Sequence, residues 1–92
     1  MVCWGANGSG QSTPPDSVNR TSGAATAISA GGSLSCAIQS ATDAVVCWGS
    51  NSYGAATPPD SVNGTSGTAS AIAVGSSQVC AIQSGSLSVV CW

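Results

Sequence analysis

Residues 1–48 lie over residues 45–92 without a gap, and 30 of those 48 positions are identical. Val2-Cys3-Trp4-Gly5 recurs as Val46-Cys47-Trp48-Gly49 and begins again at Val90-Cys91-Trp92. The chain is therefore two copies of one unit, a first repeat over 1–48 and a second over 45–92, overlapping in a shared strand. A period between 40 and 50 residues with a Trp-Gly mark in each copy points to a propeller blade or a solenoid coil, because such a unit cannot bury its faces alone. Neighbours are expected to complete it.

Composition removes whole classes of function. The only charged side chains are Arg20, Asp16, Asp43 and Asp60, and there is no His, Lys or Glu. Proton transfer and metal ligation are short of suitable groups, so no catalytic, cofactor-binding or metal-ligating residue is nominated and no enzyme is expected. Asp16 and Asp60, one repeat apart, each follow Pro-Pro and read as turn caps rather than as an acid-base pair. A net charge of −2 with a single Arg cannot serve a phosphate backbone, which argues against nucleic acid. No apolar run reaches the length of a membrane span, so no membrane partner is expected, and no secretory leader is expected either, since Met1-Val2 leads straight into the repeat.

The local pattern is that of strands. In the second copy 68–74 alternates loosely up to Gly75, and two short β-rich runs, 79–83 and 88–92, flank a Gly-Ser pair. A type II′ turn centred on Gly85-Ser86, with Gly85 supplying the positive φ, sets Cys80 opposite Cys91 and Ile82 opposite Val89. The same arithmetic about Ala41-Thr42 sets Cys36 opposite Cys47 and Ile38 opposite Val45. Since side chains alternate across a strand, both faces of each hairpin are apolar, which predicts a sheet sandwiched between two neighbours. Residues 6–23 and 50–67, dense in Gly, Pro, Asn and Asp, read as long connections with one short edge strand near 55–57.

Five cysteines need an account. With no His or Lys to activate a thiol and no Cys-x-x-Cys pair, a cross-strand disulfide in each hairpin, Cys36 with Cys47 and Cys80 with Cys91, is the stronger reading; buried reduced thiols are the other. Disulfides would suggest a secreted or extracellular parent. Cys3 is the odd one, unpaired or exchanged between subunits, because its repeat partner would precede the chain. Trp4, Trp48 and Trp92 hold one fixed place in the unit and read as packing anchors between blades.

The stretch Ala27-Ile28-Ser29-Ala30-Gly31-Gly32-Ser33-Leu34-Ser35-Cys36-Ala37-Ile38, followed by Val45-Val46-Cys47-Trp48-Gly49-Ser50-Asn51-Ser52-Tyr53-Gly54, resembles the regulator-of-chromosome-condensation type of β-propeller repeat. The likeness covers nearly the whole chain and is nearest to bacterial members, β-lactamase-inhibiting propellers among them. It departs from the pattern at Leu34 and Gln78, where the family usually has His, at Ala55, where it has Gln, and in holding two blades rather than about seven. The resemblance implies an all-β fold of two antiparallel blades and transfers no activity, since fold alone does not carry function. With four to eight blades usual in a propeller, homo-oligomers of three or four chains are expected to close the ring. The reading is thus a non-catalytic, self-assembling and engineered repeat, with a protein-binding module gripping a partner through its rim loops as the alternative. No cofactor is expected.

Overall fold

The computed structural model of the chain describes residues 3, 8, 10–15, 18, 23–50, 54, 56–64 and 67–92. Six strands run in order: β1 Ala25–Gly31, β2 Leu34–Gln39, β3 Val45–Gly49, β4 Ala69–Val74, β5 Val79–Gln83 and β6 Val89–Cys91. They form two three-stranded antiparallel sheets, β1-β2-β3 and β4-β5-β6, one per repeat. Alternating Ala, Val, Ile and Cys with small polar residues is what gives each strand two packable faces. Among the described residues there is no helix.

The hairpin register is the expected one, pairing Cys36 with Cys47, Ile38 with Val45, Cys80 with Cys91 and Ile82 with Val89. The turn is not. Instead of a two-residue type II′ turn, each hairpin closes through a four-residue loop: the Leu87 N–H donates to the Gln83 carbonyl at 3.0 Å and the Gln83 N–H to the Ser88 carbonyl at 2.8 Å. Asp43 and Gln39 repeat this in the first copy, at 2.8 Å, with the Gln39 N–H on Ala44 at 2.9 Å. The loop ends in a left-handed residue, Asp43 at φ 58° or Leu87 at φ 60°, and Gly85 also has positive φ. A hydroxyl in each loop, Thr42 or Ser86, donates to the side-chain oxygen of Gln39 or Gln83 at 2.9 and 3.0 Å. The loop is symmetric about the centre that the sequence implies, so the register survives the change of turn.

The expected edge strand near 55–57 is also corrected. Ala55 lies outside the described residues, and Ala56 and Thr57 belong to a turn in which the Thr57 N–H donates to the Gly54 carbonyl at 3.1 Å. Pro58 and Pro59, which carry no amide hydrogen, follow at once and cannot extend a ladder. The connection turns again where the Pro59 carbonyl accepts from Val62 and Asn63, both at 3.1 Å. Val62 is fully buried between the sheets, and its carbonyl accepts from the Val45 N–H at 2.9 Å.

Candidate functional site

The two sheets pack face to face, and the faces are not the same one. From the first sheet Leu34, Cys36, Ile38 and Val45 point inward; from the second come Val79 and Ala81, with Ile72, Val74, Val90 and Trp92 against them. In repeat terms, the hairpin-disulfide face of one blade meets the opposite face of the next. The strands converge at Gly31, where a Cβ would come within 2.9 Å of the Gly75 carbonyl oxygen, so no side chain fits. Two hydrogen bonds cross between the sheets, one at each end: the Val74 N–H donates to Ser29 Oγ at 3.0 Å beside Gly31, and the Ala69 N–H donates to the Asp43 carbonyl at 3.0 Å at the hairpin-loop end.

This arrangement leaves each repeat with one face the other repeat does not fill. Ile38 and Val45 are each 2% exposed, whereas their repeat equivalents Ile82 and Val89 are 38% and 68% exposed. Conversely Ile28 is 48% exposed while its equivalent Ile72 packs in the core. A groove of about 160 Å³ runs along the outer face of the second sheet, lined by Ala71, Ala73, Cys80, Ile82 and Val89 among others. A larger hollow of about 330 Å³ opens at the other end, between Cys3, Gln11, Ser12, Gly32 and Ser35. The candidate functional surfaces are these two ends.

Each cysteine pair forms a disulfide, Cys36 to Cys47 and Cys80 to Cys91, with Cα atoms 4.1 and 4.0 Å apart. Strand chemistry explains the choice of position. Val79 and Trp92 exchange both backbone bonds, at 2.9 and 2.8 Å, which makes the next pair, Cys80 and Cys91, a non-hydrogen-bonded one, where facing side chains approach most closely. Cys36 is fully buried between the sheets, while Cys91 is exposed on the open face. Cys3 is a free, half-buried thiol.

Trp48 is buried in a second small core with Val18 and Ala37, and its indole N–H donates to the Gln11 carbonyl at 2.9 Å. Ser35 Oγ donates to the same carbonyl at 3.0 Å. Trp92, half-buried, packs on the inter-sheet core, and Trp4 lies outside the described residues. The sequence reading missed Val18 and Val62, both fully buried inside connections read as loops. A signal was present: each is the lone large aliphatic residue in the identical run Thr-Pro-Pro-Asp-Ser-Val-Asn. Asp60 is exposed on its turn, and Asp16 lies outside the described residues.

No protein-family model matches the chain, and no curated protein does. Solved structures do. The entire ectodomain of the Physcomitrella patens receptor kinase CR4 matches with a TM-score of 0.65 and 26% identity over 76% of this chain. The CRINKLY WD40 ectodomain of the Arabidopsis thaliana receptor kinase ACR4 matches with a TM-score of 0.59 and 28% identity, also over 76%. The chain spans only 18% and 23% of those two chains. Two stacked three-stranded sheets and these likenesses together show an all-β, propeller-like fold.

Proposed function

We propose that the chain is a non-catalytic pair of propeller repeats, of the regulator-of-chromosome-condensation type, whose open ends associate head to tail so that three or four copies close a ring. One observation carries this: the residues exposed at the ends, Ile82, Val89 and Ile28, are the repeat equivalents of Ile38 and Val45, which are buried inside, and of Ile72, which packs against the inter-sheet core. The chain thus holds one finished copy of the contact that its own ends would make. Such a contact is heterologous, and a heterologous contact forms either rings or filaments.

A scaffold role fits the connections, where 12 of the 18 positions in 6–23 and 50–67 are identical, as alike as the strands. That evenness also favours an engineered repeat. The second reading, a protein-binding module using the rim loops, is favoured by the receptor ectodomains it resembles. Those likenesses and the two disulfides support a secreted or extracellular setting.

Val89→Asp is the direct test. A charge at Val89 on the open face should convert the assembly to single chains in sedimentation velocity while the circular dichroism spectrum stays unchanged, because Val89 is 68% exposed within its own chain. If the variant assembles as well as the parent, this face is not the contact.

A further inference from the structure

Cys3 is placed as though it belonged to a preceding blade. It packs against the cluster of Val18, Ala37 and Trp48, just as its repeat equivalent Cys47 packs against the inter-sheet core that holds Val62, Ala81 and Val79. In the intact contact, Cys47 is bonded to Cys36 across its hairpin. The residue that would stand to Cys3 as Cys36 stands to Cys47 is Cys80 of a neighbouring copy docked on this end. That cysteine is already bonded, to Cys91, and the bond lies on the open face with Cys91 exposed and Cys80 half-buried. Val2-Cys3-Trp4 and Val90-Cys91-Trp92 are the same three residues, so at a junction they would compete for one place in the repeat.

From these placements we infer that head-to-tail docking delivers Cys3 to a neighbour's Cys80–Cys91 disulfide and that thiol–disulfide exchange then links the copies covalently. This rests on the self-association proposed above. The Cys3 thiolate attacks Sγ of the neighbour's Cys80, the Sγ–Sγ bond to Cys91 breaks, and Cys91 leaves as a thiolate that takes up the proton Cys3 lost. One disulfide is consumed and one is formed, so no oxidant is required. Each chain keeps one free thiol, but its identity changes from Cys3 to Cys91. Residues 2–4 thereby take the place of the neighbour's β6, whose sequence they share, at the outer edge of that blade.

The experiment uses the full chain, concentrated without reductant, in parallel with Cys3→Ser. Free thiols are alkylated, and samples are compared by native mass spectrometry, non-reducing electrophoresis and peptide mapping. The expected result is a multimer for both proteins, a reductant-sensitive covalent ladder for the parent only, a Cys3–Cys80 peptide and alkylation moved to Cys91. A multimer whose only disulfides are Cys36–Cys47 and Cys80–Cys91, with Cys3 alkylated, overturns the exchange and leaves the self-association standing. Single chains for both proteins overturn both.

Discussion

Replacing Ile38 with alanine is expected to cost about 2–5 kcal/mol of folding stability, while the same replacement at Ile82, in protein dilute enough to be single chains, costs no more than about 1 kcal/mol. The two isoleucines occupy the same place in their repeats and pair with equivalent valines, so strand propensity and register effects cancel. What differs is the neighbour: Ile38 is covered by the second sheet and is 2% exposed, whereas no second sheet covers Ile82 among the described residues and it stays 38% exposed. A domain of this size has only about 5–15 kcal/mol to lose, so Ile38→Ala should move the urea midpoint sharply. Repeating both at assembling concentrations should raise the cost of Ile82→Ala toward that of Ile38→Ala. Equal losses in the dilute protein would mean that the two faces are not distinguished as the packing requires.

The two disulfides offer a second comparison of equals. Both close loops with a sequence separation of 11 residues, so the restriction each places on the unfolded chain is the same. Removing either, as Cys36→Ala with Cys47→Ala or as Cys80→Ala with Cys91→Ala, should cost about 2–5 kcal/mol. The first pair should cost about 1 kcal/mol more, since Cys36 is fully buried between the sheets and its loss opens a cavity, whereas Cys91 faces solvent. Urea denaturation of the two double variants at low concentration reads the difference. A larger loss from the Cys80–Cys91 pair would contradict the assignment of inner and outer faces.

Much of this was legible in the residues, for reasons that can be named. Register follows from a hairpin centre and a period of two, so centres at Ala41-Thr42 and Gly85-Ser86 set Cys36 opposite Cys47 and Cys80 opposite Cys91 whatever the turn type. The turn type did not follow, because the first copy has Ala41 and Asp43 where the second has Gly85 and Leu87. Glycine drew attention to the second position of the loop, while the left-handed residue common to both copies is the last. Side chains at Asp43 and Leu87 share no propensity that would reveal this.

The bulges at Ala25/Ala27 and Ala69/Ala71 were likewise hidden. Their one sequence mark is a hydroxyl, Thr26 or Ser70, which donates to the carbonyl of Ile38 or Ile82 at 3.4 Å, and a Thr or Ser in a strand ordinarily means nothing special. Both apolar faces of the hairpins were readable from alternation. Which face meets which was not, since that depends on how the connection crosses between sheets, and its guide is the buried Val62 rather than any strand residue.

Completion of the fold by copies of the chain, as proposed above, can be counted. Native mass spectrometry at micromolar concentration reads subunit number directly. The expected result is one discrete species of three or four chains, giving six or eight blades, within the range that propellers adopt. A well-folded single chain, with dispersed amide resonances and Ile82 and Val89 still open to solvent, would contradict it.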